Sequence, residues 1–406
     1  MKSKIVTVSF IVIVFAIFCA SLIKPAQELS YSERRRLAQL PKLTAESLID
    51  GKYMEGFDKY TSDQFVGREQ FRGIKMFVDR NVMQKRDTNG LFQVGGSIFS
   101  TEYPLDESKV LQMCGRMNAL YDRYLQGMNV YFSIIPDKNY YLPNDGSHML
   151  MDYGKLESLM LNNMPENAQY IDMFDVLTLS NYYNSDGHWR QETIKPVVDA
   201  VNSALGNNKS GKSDSGNNGS GNAAPENASL GNSTPGNTES RNSALSSSYS
   251  AFDPAQYDQK DYYPFYGVYY GQLAGMAQPD TIVWLENKIT QDAIVTSLSH
   301  PGRDDLPVYY EDGLGGMDSY DVYLHGAQPL ITIENPHNTS RRELILFRDS
   351  YGSSLAPLLL DDYSRITLVD LRYITQELLA DYIEFNNQDI LLMYSTTIIN
   401  NSDIIR

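Results

Sequence analysis

Histidine is scarce in this 406-residue chain, five in all, and one of them, His188, sits in the polar run Asn184-Ser185-Asp186-Gly187-His188-Trp189. In extended backbone, residues two apart project to the same side. Asp186 is therefore placed to hold one imidazole nitrogen and aim the other at a partner, the orienter and base of a Ser-His-Asp triad. The nucleophile such a pair needs is offered by Ser350, in Leu346-Phe347-Arg348-Asp349-Ser350-Tyr351-Gly352-Ser353, where a hydrophobic run meets the start of a helix. Amides at a helix start point toward an oxyanion, and the helix dipole favours negative charge there. The Ser350 amide is the one oxyanion donor assigned. A serine needs a base such as His188 to become a nucleophile at neutral pH. Each group also has a plainer reading. Ser350 or Asp349 can cap the helix, and Asp186-Gly187-His188 can be a turn with Trp189 as a core anchor. Asp186 and His188 have no clustered third and fourth metal ligands, so neither a metal nor a cofactor is expected.

The elements that must carry these residues alternate between strand and helix. Apolar runs at 343–347, 365–369 and 390–394 read as strands, with helices at 352–360 and 376–385 between them. That alternation is the signature of an α/β fold with a parallel sheet and right-handed crossovers. Upstream, 91–99 reads as a hairpin or edge strand, 107–127 as a helix, 129–135 as a strand and 191–205 as a helix. The strand 129–135 runs into Pro136-Asp137-Lys138, the end at which open α/β sheets hold ligands. Lys138 reads as an exposed turn lysine, or else as a substrate contact.

Fifty acidic against 34 basic residues give a formal charge of -16, which argues against nucleic-acid binding through a basic surface. Lys2 and Lys4 precede an uncharged apolar run from Ile5 to Ile23. It is long enough to cross a bilayer, and its flanking lysines keep the N-terminus inside, so the main domain is expected outside the cytoplasm. Residues 1–24 are thus an anchor, with a cleaved signal and a secreted protein as the alternative. Residues 25–90 read as a stalk and a helical section. The stalk carries Glu33-Arg34-Arg35-Arg36 as a solvated face or a contact for head groups. The helical section from 45 to 84 packs on the main domain through Met54, Phe57, Tyr60, Phe65, Phe71, Met76 and Phe77. Cys114 reads as a buried thiol. The catalytic domain spans 91–205 and 251–406, split by a low-complexity insertion at 206–250 that cannot bury a core and is expected to be disordered.

Taken together, these motifs resemble a known family. Asp186-Gly187-His188-Trp189, preceded by Tyr182 and Tyr183, is similar to the D-x-H-W motif of DHHW proteins and of the periplasmic alginate O-acetyltransferases. Asp349-Ser350-Tyr351-Gly352 is similar to their nucleophile motif, and Asp63 to Arg68 (DQFVGR) with Val94-Gly95-Gly96 to their N-terminal pattern. Gly187 departs from the usual His or Thr. The resemblance implies an SGNH hydrolase-like domain with Asp186, His188 and Ser350 as its triad. It implies an extracytoplasmic O-acetyltransferase acting on a cell-surface polysaccharide, supplied with acetyl by a membrane-bound O-acyltransferase.

Serine acyl chemistry equally serves an esterase that removes acetyl from a glycan. A chain with 29 tyrosines also suits a glycan-binding or scaffold protein. Tyr266, Tyr269 and Tyr270, in an aromatic and glycine-rich stretch at 263–277, are expected to line a glycan groove, with Tyr266, Tyr270, Trp189 and Arg348 as the substrate contacts. Gly267 or Gly271 would lend backbone amides to that groove; the alternative for the stretch is a buried aromatic core strand.

Overall fold

Seven strands form one sheet whose two faces are both buried. They are β1 (Asn129–Ile135), β2 (Gln169–Ile171), β3 (Ile294–Ser297), β4 (Leu330–Glu334), β5 (Glu343–Arg348), β6 (Arg365–Val369) and β7 (Asp389–Ser395), in spatial order β2-β1-β7-β5-β6-β4-β3. The computed structural model describes residues 2–85, 87–146, 148–207, 252–273 and 277–406. From β2 to β6 all neighbours are parallel, while β4 and β3 close the far edge antiparallel. The expected parallel sheet is therefore a mixed one. Both flanks of the 206–250 insertion contribute strands to it. That insertion, from residue 208 onward, lies outside the described residues.

Strand alternation explains the layering. Leu344 and Leu346 of β5 join one core cluster while Ile345 and Phe347 join the other. On one side the helices Lys195–Asn207 and Tyr351–Leu359 cover the sheet through Val197, Val201, Leu355 and Leu359. On the other, Glu107–Leu120 and Tyr153–Asn163 do so through Met113, Met117, Leu156 and Met160, with Cys114 buried among them. The helix expected over 107–127 changes to a π turn at Tyr121–Leu125. Leu111, expected on its apolar side, is exposed, whereas Leu125 is buried. Residues 376–385 form only a 3-10 segment, Gln376–Asp381.

The N-terminal part differs most from expectation. Helix α1 (Lys2–Ile23) has no buried residue in its apolar window. Helices α2 (Ala45–Ile49) and α3 (Lys52–Asp63) bury nothing, and α4 (Arg68–Asn81) buries only Met76 and Asp79. The section is helical, but its aromatic residues do not pack on the main body. The stalk forms a short ladder, Leu29–Ser30 with Arg35–Arg36. Its charge cluster is largely paired, Glu33 with Arg68 and Arg72 and Arg35 with Asp63, while Arg36 is exposed.

Candidate active site

Three neighbouring parallel strands, β1, β7 and β5, end on the same side, and the polar loops that follow them build one site. This is where side chains can converge without interrupting the sheet. Ser350 follows β5 directly and stands at the N-cap of Tyr351–Leu359, without a side-chain capping bond. The turn is held instead by Asp349, which accepts from the Tyr351 amide at 3.1 Å and the Ser395 amide of β7 at 2.8 Å. The plain capping role thus falls to Asp349 and leaves the Ser350 hydroxyl free.

His188 Nε2 lies 2.6 Å from Ser350 Oγ, and His188 Nδ1 lies 2.6 Å from Asp186 Oδ1. Asp186 is buried, while His188 and Ser350 remain partly open to solvent. The imidazole stacks on Tyr320 at 4.0 Å and leans on Tyr351 at 5.0 Å, which restrains its plane. Burial opposes the charge on Asp186, but the His188 ring and the Arg34 guanidinium outweigh it and hold the carboxyl well below the usual range.

The turn that carries Asp186 and His188 is braced from four directions. Asp280 accepts from the Ser185 amide and hydroxyl at 2.7 and 2.6 Å. The Val268 amide donates to Asp186 Oδ2 at 2.8 Å, and the Gly267 amide to Ser185 Oγ at 3.1 Å. A Cβ at Gly267 would stand 2.3 Å from the Ser185 carbonyl oxygen, so only glycine permits this approach. Tyr351 Oη donates to the Gly187 carbonyl at 2.6 Å, tying the turn to the nucleophile helix. Gly187 itself makes room for the Tyr269 hydroxyl, 2.7 Å from where its Cβ would be.

Lys138 is the fourth brace and corrects the expectation of an exposed turn lysine. It is buried, and Nζ donates to the carbonyls of Tyr183 at 3.0 Å, Asn184 at 3.1 Å and Asp186 at 2.8 Å. Burial pushes its ammonium down to about 8, with Asp186, Asp280 and Asp137 opposing the shift. Beside it a small polar cleft is lined by Glu102, Asp137, Gly187, Tyr269 and Tyr351. Burial, aided by Asp137, pushes Glu102 up to about 7 there.

Two expected substrate contacts are placed otherwise. Trp189 is fully buried and donates from Nε1 to Ser354 Oγ at 2.8 Å, so it anchors the His188 turn to the nucleophile helix. Arg348 is buried beneath the nucleophile turn and pairs with Asp370 at 3.3 Å. Alternation along β5 points it into the body. Tyr266 and Tyr270 are half-buried and face each other with centroids 4.7 Å apart. They follow an exposed-edge strand, Asp258–Phe265, that pairs with Asp280–Glu286.

Sequence reasoning missed Arg34. Its Nη1 lies 3.7 Å from Asp186 Oδ2, and it pairs with Asp318 and donates from Nε to the Met317 carbonyl at 3.0 Å. Its backbone is left-handed, with φ of 53°. A non-glycine residue in that region is the only local signal that this stalk turn is held for a purpose.

No family model matches the sequence, and no curated protein does. The architecture does have counterparts among solved structures. A DHHW family protein from Eubacterium siraeum superposes with a TM-score of 0.56 at 16% identity, covering 78% of this chain and 94% of that one. Its fold is that of the DHHW protein. Bacillus cereus PatB1, solved with a sulfonyl adduct, superposes with a TM-score of 0.55 at 16% identity, over 76% of this chain and 95% of its own. The likeness in fold thus covers more than three quarters of this chain.

Proposed function

We propose that the chain is an extracytoplasmic, serine-dependent O-acetyltransferase of SGNH hydrolase-like type that acetylates hydroxyls of a cell-surface polysaccharide. The observation that carries this reading is His188 bridging Asp186 and Ser350 at 2.6 Å on both sides. Ser350 Oγ attacks the carbonyl of an acetyl donor while His188 Nε2 takes its proton, and Asp186 supports the imidazolium through Nδ1. The tetrahedral intermediate expels the donor's alcohol, which takes that proton from His188, and leaves acetyl-Ser350. A sugar hydroxyl, deprotonated by His188, then attacks the acetyl carbonyl and releases Ser350.

The substrate class and an acetyl-supplying membrane O-acyltransferase rest on the motif resemblance. The half-open Tyr266 and Tyr270 pair suits a sugar face. Helix α1 as an uncleaved anchor keeps this centre at the bilayer, because residue 34 lies just beyond the helix and its side chain reaches Asp186.

The test uses the detergent-solubilised full chain, a chromogenic acetyl ester and an oligosaccharide acceptor followed by mass spectrometry. A sulfonyl fluoride is the natural active-site probe, given the adduct carried by PatB1. Acetate release by wild type, blocked by the probe and lost in Ser350→Ala, with acetyl appearing on the sugar, is the expected result. Acetate without acetylated sugar assigns an esterase. A folded wild type that matches Ser350→Ala on every ester assigns a binding or scaffold role.

A further inference from the structure

Helix α4 turns one apolar residue to the body and an apolar stripe away from it. Met76 faces the body, in a cluster with Leu91, Ile98, Leu273 and Ala277. On the opposite side Phe71, Ile74, Val78 and Val82 recur three or four residues apart, with Phe77 on the margin. Phe71, Ile74, Phe77 and Val82 are each more than half exposed. No charged residue falls among them. Helix α3 adds exposed Met54 and Phe57 and buries nothing of its own. A helix of that length is marginal in water without a surface to pack on. Scattered apolar residues need no explanation, but a stripe of this extent does.

We propose that this face of α4 lies in the outer surface of the lipid bilayer, beside the point where α1 emerges. The inference rests on the reading of α1 as a membrane anchor. Continuity selects lipid as the occupant. The outer end of α1 is bonded to the junction of α3 and α4, where the Val66 amide donates to Ser21 Oγ at 3.3 Å. The Gln27 amide donates to Gln64 Oε1 at 2.9 Å, one residue before Phe65 packs edge-on against Phe71 at 5.6 Å. The apolar side of α4 therefore begins at Phe71, five residues past the Val66 amide that is bonded to the anchor. A helix with one apolar and one charged side lies in the interface plane with its apolar side sunk into the acyl boundary. On the flank of the stripe Lys75 is paired with Asp79, and on α3 Lys59 with Glu55. No charged residue interrupts the stripe itself, so apolar burial carries the contact and salt leaves it unchanged.

The chain's own tryptophans, Trp189 and Trp284, are both buried in the body, away from lipid-borne bromine, so difference spectra against wild type isolate the introduced probe. The full chain is reconstituted in phosphatidylcholine vesicles with brominated acyl chains. Four variants are compared: Phe10→Trp in the anchor, Phe71→Trp and Phe77→Trp on α4, and Ile294→Trp at the opposite end of the sheet. The expected result is blue-shifted emission and strong quenching for Phe10→Trp, Phe71→Trp and Phe77→Trp, unchanged by salt, with Ile294→Trp unquenched. Adding Ile74→Asp and Val78→Asp to the Phe71→Trp chain abolishes its quenching. If Phe10→Trp is quenched and Phe71→Trp stays at the level of Ile294→Trp, the lipid face is overturned, the anchor stands, and a protein covers the stripe. If Phe10→Trp is unquenched, anchor and lipid face both fall, whatever the acyl chemistry proves to be.

Discussion

The Lys138 ammonium donates to the Asp186 backbone carbonyl at 2.8 Å, so the loop after β1 holds the very turn whose side chain orients His188. Its other two bonds go to the carbonyls of Tyr183 and Asn184. Three acceptors match the three hydrogens of an ammonium, and a neutral amine has only two. Near pH 8 the folded lysine loses its proton, whereas the unfolded one does so near 10.5. Between those values the unfolded chain binds more protons, so this group's contribution to stability rises with pH. Activity moves the other way, because one carbonyl loses its donor. The expected outcome is an alkaline limb in kcat near pH 8, without loss of Tm from this group. Lys138→Met lowers kcat by roughly 10- to 100-fold with KM little changed, since it loosens the turn rather than the substrate site.

Arg34→Asn separates strain from electrostatics. Asparagine accepts the left-handed backbone at residue 34 better than arginine does, which offsets part of the loss of the bonds to Asp318 and the Met317 carbonyl, so Tm changes little. The cation 3.7 Å from Asp186 Oδ2 is lost, and the carboxylate is held less firmly in its charged form. We expect kcat/KM to fall roughly 3- to 30-fold and the acid limb of its pH profile to move upward. Arg34→Lys should restore part of both.

Gly267→Ala tests the close approach under the triad. The added Cβ meets the Ser185 carbonyl oxygen at 2.3 Å and Asp186 Cβ at 2.6 Å, so the turn itself must shift. A loss of about 1–3 kcal/mol in denaturant unfolding is expected, with ester turnover reduced roughly 100-fold.

Glu102→Gln reports on the polar cleft. The folded carboxyl, pushed up to about 7, binds a proton that the unfolded one releases near 4.5. Between those values the folded chain binds more protons, so stability falls as pH rises through that window. The neutral glutamine removes that penalty. The variant should gain roughly 1–3 kcal/mol at pH 8 and nothing at pH 4, measured by urea unfolding at both values.

Much of the frame was legible in the chain. Strands 365–369 and 129–135 coincide with β6 and β1, because unbroken apolar runs bounded by polar turns leave few alternatives for a buried strand. Asp186, His188 and Ser350 were legible because few residue types do such chemistry, and because a two-residue spacing and a strand-to-helix junction are local features. The 3-10 segment at Gln376–Asp381 and the π turn at Tyr121–Leu125 were not, since periodicity does not report how tightly a helix is wound.

What the sequence by itself determined, then, was the α/β alternation, the apolar α1 helix and the three residues, Asp186, His188 and Ser350, that could do acyl chemistry together. Tertiary structure alone decided which side chains meet them. Lys138 and Arg34 stand 48 and 152 positions from Asp186 in the chain, and no local pattern encodes a bond across such distances. The same holds for Trp189 and Arg348, whose types suit ligand contact but whose backbone positions turn them inward. It holds in reverse for α4, whose apolar stripe has the period of a core helix. Only the fold shows that it faces away from the core, because periodicity gives a helix an apolar side without saying what lies against it.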